Sequence, residues 1–355
     1  MMQTEDTGHL KYWLSLSMMR GMGKSVRAAI EEGSTVEEVF YSMASQRTDA
    51  QALIDAARKE IDLALARGVR FVTFDSPLYP ECLRHIYDPP LALYVLGREE
   101  LLSSPSVAVV GTRNASSYGR QMAERFGAGL SEAGITVVSG MARGCDTWAH
   151  RGALSKGGNT IAVLGTGIDV VYPKENRRLY EEIKEQGLIV TEFPLSTPPL
   201  AKNFPVRNRI ISGLTGGVVV VEAPVRSGAM MTARLSLEAG REVFALPGRA
   251  DSQKSGGTNR LIKEGAILVE NVEDVLSVLF PEHCHTSTEE AESTVEINRE
   301  EELIFKVLDD EPLHIDSIVE RSGLPVDRLA SLLLTMELKG FIEQRPGKFF
   351  VKRTA

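Results

Sequence analysis

Four short stretches of this chain combine arginine with glycine, serine or other small residues: Gly111-Thr-Arg-Asn114, Ser139-Gly-Met-Ala-Arg-Gly-Cys-Asp146, Lys202-Asn-Phe-Pro-Val-Arg-Asn-Arg209 and Arg226-Ser-Gly-Ala-Met-Met-Thr232. Arginine offers a fixed fan of donors to an oxyanion, and small residues let backbone amides approach the same group. Phe204, set among Lys202, Arg207 and Arg209, adds a ring on which a planar group can stack without being selected. Together these residue types point to a ligand that is polyanionic and carries planar groups. Within the four stretches the candidate contacts are Gly111, Thr112, Arg113, Asn114, Gly140, Arg143, Lys202, Phe204, Arg207, Asn208, Arg209, Ser227 and Gly228.

Other chemistries fit less well. The dinucleotide fingerprint Gly-x-Gly-x-x-Gly is not met: Thr112 and Arg113 follow Gly111, and Ser116 stands where the third glycine belongs. Ser139 and Gly140 close the next apolar run, where an acid would hold a ribose, so no nicotinamide cofactor is expected. His150 follows Asp146 by one helical turn, but no nucleophile motif accompanies them. The pair reads as a partly buried histidine on a helix capped by Asp146. Glu192 and Glu222 end two apolar runs and could serve as a carboxylate pair for N-glycosidic chemistry. Gly21-Met-Gly-Lys-Ser25 lacks a P-loop's first glycine, having Met18 in that place, and reads as a turn between two helices. His283-Cys-His285 has no second ligand pair at a zinc spacing, so no metal is expected.

The elements that must position these residues follow from the apolar pattern. Strands are predicted at Leu91–Gly97, Val107–Gly111, Ile135–Ser139, Thr160–Leu164, Leu188–Thr191, Val218–Val221, Val243–Leu246 and Ala266–Val269, with helical segments between most of them. Such alternation implies an α/β fold with an extended, Rossmann-like, doubly wound and mostly parallel sheet, which binds ligands beyond the carboxyl ends of its strands, where the four stretches read as strand-end loops. Four regions are expected: a helical module over 1–65, similar to SAM or helix-hairpin-helix modules; the α/β domain over 66–282; an acidic linker over 283–298; and a winged helix over 299–355.

The net charge of -8 hides an uneven distribution, since residues 105–265 carry 20 Lys and Arg against 14 Asp and Glu. That basic middle is compatible with a polyanion site. The C-terminal region has 9 Lys and Arg against 11 Asp and Glu over 299–355. That balance suits a protein-interaction module better than a duplex reader. No signal peptide or apolar run long enough to span a membrane is evident, and three scattered cysteines suit a reducing compartment, so a cytoplasmic location is expected.

Most of residues 77–280 also resemble the DprA (Smf) family of DNA-processing proteins. The resemblance rests on Val107-Ala-Val-Val-Gly-Thr-Arg-Asn114 with Tyr118-Gly119, Ser139-Gly-Met-Ala-Arg-Gly144 with Asp146 and Ala149-His-Arg-Gly152, and Thr160-Ile-Ala-Val-Leu-Gly-Thr-Gly-Ile-Asp-Val-Val-Tyr-Pro173 with Glu175-Asn176. It continues through Phe204-Pro205 with Arg207-Asn-Arg-Ile-Ile-Ser-Gly213, Val220-Val-Glu-Ala223, Ser227-Gly228, Thr232-Ala-Arg234 and Gly240-Arg-Glu-Val-Phe-Ala-Leu-Pro-Gly248. What it implies is a non-catalytic protein that binds single-stranded DNA, forms a homodimer and loads the RecA recombinase during natural transformation. By motif, Gly111, Thr112, Arg113, Gly140 and Arg143 would hold phosphates, Phe204, Arg207 and Arg209 would line the strand's path, and Ser227 and Gly228 would offer amides. The family often has a lysine three residues before the phenylalanine; here Ala201 stands there and Lys202 follows. Against the hydrolase alternative, the Pro-Gly-Gly-x-Gly-Thr loop of the phosphoribohydrolases is only partly echoed by Ser255-Gly-Gly-Thr-Asn259.

Overall fold

The computed structural model describes residues 7–282 apart from 20 and 46–48, and residues 303–352 apart from 305–306, 309–312, 339–341 and 346. The chain divides into one compact unit reaching Cys284 and a second beginning at His285. The acidic stretch 283–298 and the His283-Cys-His285 group lie outside the described residues.

The first unit opens with four helices, α1 (Thr7–Met18), α2 (Gly23–Glu31), α3 (Val36–Ala44) and α4 (Ala50–Leu65). An antiparallel pair follows, β1 (Arg70–Thr73) and β2 (Ala92–Gly97), with the short α5 (Glu81–Arg84) between them. Alternation then takes over: β3 (Ser106–Val110), α6 (Ser117–Glu132), β4 (Thr136–Ser139), α7 (Cys145–Ser155), β5 (Thr160–Val163), α8 (Arg177–Gln186), β6 (Leu188–Thr191), α9 (Asn203–Leu214), β7 (Gly217–Val220), α10 (Gly228–Glu238), β8 (Glu242–Ala245), α11 (Gly256–Lys263), β9 (Ile267–Leu268) and α12 (Val272–Leu279).

These nine strands form one sheet in the order β1-β2-β6-β5-β4-β3-β7-β8-β9, parallel from β6 to β9. Its central strands are buried on both faces, so apolar residues fill their middles, with buried Ser or Thr confined to their ends, and they still divide their side chains by a period of two. Val107 and Val109 of β3 pack with Phe126 and Leu130 of α6 and Ala149 and Ala153 of α7. Ala108 and Val110 turn the other way, into the core that holds Ile210 and Ile211 of α9 and Ala233 of α10. That second core also takes in Trp13 and Leu16 of α1 and Phe40 of α3, so the N-terminal helices share their packing with the sheet.

The expected strands appear within a residue at each end, the last of them as the short Ile267–Leu268. Two expectations change. Lys202–Arg209 is not a strand-end loop; from Asn203 onward it is the start of α9, because Pro205 falls in the first turn, where its missing N–H is no loss. Asp146 is not a helix cap: Gly144, at φ 77, makes the turn and α7 starts at Cys145.

In the second unit β10 (Leu313–His314), α13 (Ile315–Ser322), α14 (Val326–Leu338), β11 (Ile342–Arg345) and β12 (Phe349–Lys352) make two helices and a three-stranded sheet, ordered β10-β12-β11. Ile318, Leu333, Met336, Ile342 and Phe350 form its core. A winged helix over 299–355 implies a further helix ahead of β10, and residues 303–308 there fall partly outside the described residues. No described helix is long and apolar enough to cross a membrane.

The contact between α6 and α7 depends on the absence of side chains. A Cβ on Gly152 would stand 2.9 Å from the Ala128 nitrogen, and one on Gly127 would stand 3.0 Å from the Ala149 carbonyl carbon. Replacing glycine by alanine inside an open helix gains about 1 kcal/mol. Gly152→Ala is instead expected to lose about 1–3 kcal/mol in urea unfolding, since two backbones must separate.

Candidate functional site

In a parallel sheet a crevice opens where successive connections leave to opposite sides. Here β3 lies between β4 and β7, so the loops after β3 and β7 diverge at that point. They border a cleft of about 830 Å³, closed by the first turns of α9 and α10 and by Tyr172 from the connection after β5. Gly111, Thr112, Arg113, Phe204, Arg207, Asn208, Ser227 and Gly228 all line it, together with Asp146 and Arg226.

The cleft is built by hydrogen bonds that continue the sheet. The Thr112 amide donates to the Glu222 carbonyl at 2.7 Å, one step beyond the β3–β7 ladder, so it is not left facing an anion. Its hydroxyl accepts from the Asn114 amide at 3.3 Å. Gly111 allows this close approach: a Cβ there would lie 2.7 Å from Cys145 Cβ. Ser227 caps α10, its hydroxyl accepting from the Met230 amide at 3.4 Å, and the uncovered first turn of that helix opens into the cleft with its partial positive charge.

Arg207 forms the floor. It is buried, and its guanidinium donates to the Gly140 carbonyl at 2.8 Å, to the Val163 carbonyl and to Asn208 Oδ1 at 3.1 Å. A side chain at Gly140 would strike it, at 2.5 Å from Nη2. Burial lowers its pKa to about 10, with buried Asp146 opposing the shift, so Arg207 stays charged at neutral pH. Burial likewise pushes the Asp146 carboxyl above its usual range, while Arg207 and, less strongly, Arg113 pull against it.

Above this floor sits a stack. Arg113 is exposed, with its Cζ 5.0 Å from the centre of the Phe204 ring. The Tyr172 and Phe204 rings are 5.6 Å apart and tilted by 40°. Phe204 rests on Gly165, where a Cβ would come within 2.8 Å of Cδ1. Arg113 and Arg226 make no ion pair with a described residue. Tyr172 was missed by reasoning from clustered cations; an aromatic in a strand-end connection was the signal available.

The remaining candidates stand apart from the cleft's lining. Asn114 and Lys202 are exposed, Gly140 is buried beneath Arg207, and Arg143 is exposed and paired with Glu175 at 2.5 Å. Arg209 turns to the other side of α9, where its Nη2 donates to Glu192 Oε2 and its Nε lies 3.7 Å from Asp88 Oδ2. Among the described residues no group of three or more His, Cys, Asp or Glu side chains is placed to hold a metal.

A family model for DNA recombination-mediator protein A matches residues 70–280, and one for the DprA winged helix domain matches 288–348. Protein Smf of Escherichia coli is 42% identical over 320 residues, covering 86% of this chain and 84% of its own length. The chain belongs to the DprA/Smf family. The X-ray structure of DprA from Streptococcus pneumoniae matches with a TM-score of 0.66 at 38% identity, covering 78% of this chain and 99% of that one. DNA processing protein A from Helicobacter pylori, whose structure was solved to describe its single-stranded DNA binding mode, matches with a TM-score of 0.55 at 32% identity, covering 60% and 97%.

Within this DprA-type domain the possible acid–base groups are engaged in the fold. Glu222 is buried and accepts from the Ser116 amide at 2.8 Å. His150 is fully buried, its Nδ1 2.7 Å from Thr160 Oγ1, and burial holds its pKa down to about 3 from an ordinary 6.5. Between those two values the unfolded chain binds a proton that the folded chain excludes, so stability falls as pH falls. From about pH 7.5 to 5.5 the unfolding free energy should drop roughly 1.4 kcal/mol more in the wild type than in His150→Gln, as read by urea titration at both pH values.

Proposed function

We propose that this chain binds single-stranded DNA in the cleft after β3 and β7 and, as a cytoplasmic homodimer, loads RecA on that DNA during uptake and recombination. The observation that carries the reading is the exposed Arg113 guanidinium held over Phe204, close to the open first turn of α10. A cation beside a stacking ring meets a phosphate and a base of the same strand without choosing the base. The single-stranded DNA binding of the Helicobacter pylori relative supports the same ligand.

Each residue then has a part. Arg113 and Arg226 meet phosphates, Ser227 and Gly228 present amides at a helix N-terminus, and Phe204 with Tyr172 offers ring faces. Thr112 contributes a hydroxyl, and Asn114 and Asn208 supply amide groups at the edges. Gly140 and Arg207 hold the floor, while Arg143 and Lys202 add positive charge outside the cleft's lining. No cofactor takes part and no bond is broken. The hydrolase alternative would need Glu192 or Glu222 as an acid or base; Glu192 is paired with Arg209 and Glu222 holds the Ser116 amide.

Arg113→Ala is expected to weaken binding of unrelated single-stranded sequences to a similar extent. It should also reduce the slope of log affinity against log salt by about 0.7, the loss of one phosphate contact. Anisotropy titrations of a labelled oligonucleotide over a salt series measure both. An unchanged slope removes Arg113 from the interface, and turnover of a competing mononucleotide would favour the hydrolase.

A further inference from the structure

We infer that a second cavity, separated from the cleft by α9, receives one nucleobase of the bound strand. The inference rests on the single-strand reading above. The cavity holds about 370 Å³ and lies between the N-terminal helices and the carboxyl end of β6. Met22, Pro89, Pro194 and Val206 give it apolar walls. Its polar side is the Arg209–Glu192 pair with Asp88 beside it.

The chemistry of that polar side selects among ligands. Among the described residues two carboxylates face one guanidinium, so a phosphate would meet a net negative wall. A neutral planar group with donors and acceptors along one edge finds a carboxylate that accepts and a guanidinium that donates. Apolar walls with a few convergent polar groups are the usual form of a site for such a ligand.

The position also fits. Phe204, Pro205, Arg207 and Asn208 of α9 line the cleft, while Val206 and Arg209 line this cavity. A helix is about 10–12 Å wide. At roughly 3.4 Å per nucleotide, a strand leaving the cleft reaches the second cavity within about three nucleotides. Gly21, Met22 and Gly23, where the turn passes into α2, form the opposite wall. The turn is fixed there by Gly23, where a Cβ would stand 2.5 Å from Asp88 Oδ1.

The full chain is titrated with an oligo(dT) and with an abasic oligonucleotide of equal length. The variants are Val206→Trp and Met22→Trp, which fill the cavity from opposite walls; Val206 is 44% exposed, so a larger side chain there does not crowd the core. Each variant is expected to weaken oligo(dT) binding by roughly tenfold, the worth of one buried base, and to leave abasic binding unchanged. Wild-type affinity for both oligonucleotides in both variants overturns the inference. So does an equal loss for both, which would mean the cleft itself was disturbed. Binding of spermine that the variants abolish, with base dependence intact, would assign the cavity to a cation instead. A wild-type protein that binds neither oligonucleotide removes the single-strand reading itself, a different failure from any of these.

Discussion

Buried Arg207 is the interaction on which the site's geometry depends. Its guanidinium reaches from α9 to the carbonyls of Gly140, just after β4, and Val163, at the end of β5, so one side chain ties a helix to two strand ends. A charge at that depth is tolerable because two backbone carbonyls accept its hydrogen bonds and the buried Asp146 carboxyl favours it electrostatically. The same tether sets the rotation of α9 about its axis, which decides that Phe204 and Asn208 face the cleft.

The sheet was legible in the sequence because strands covered on both faces are runs of valine, isoleucine and alanine, such as Val107 to Val110, set between recognisable helices. β1 escaped because Arg70-Phe-Val-Thr73 is short and half polar, and its pairing with β2 depends on residues 19 to 25 positions away. The cleft was legible as a set of residue types. What the types did not reveal was direction. Arg207 and Arg209 look equivalent in a string read as a loop, but two residues on a helix are separated by about 200°. One therefore enters the core and the other faces a separate cavity. Likewise Thr112 looked like a donor to an anion until the sheet claimed its amide.

The close crossing of α6 and α7 at Gly127 and Gly152 draws α7 against β3, so that Gly111 meets Cys145 at the point where the loop leaves the strand. Burial raises the Cys145 thiol well above its ordinary range, which leaves it a packing group and not a nucleophile. The loop bearing Arg113 thus springs from a dense base. Glycine and alanine are spent there on close approach, leaving the exposed residues of the loop to the ligand.

The placement of Arg113 over Phe204 has a thermodynamic side as well. A free arginine side chain carries about 2 kcal/mol of rotamer entropy, which a ligand would otherwise have to quench on binding. Resting on the ring, with no carboxylate among the described residues to hold it elsewhere, Arg113 surrenders part of that freedom when the protein folds. The ordering cost is charged to folding stability, and association meets a side chain that is already in place.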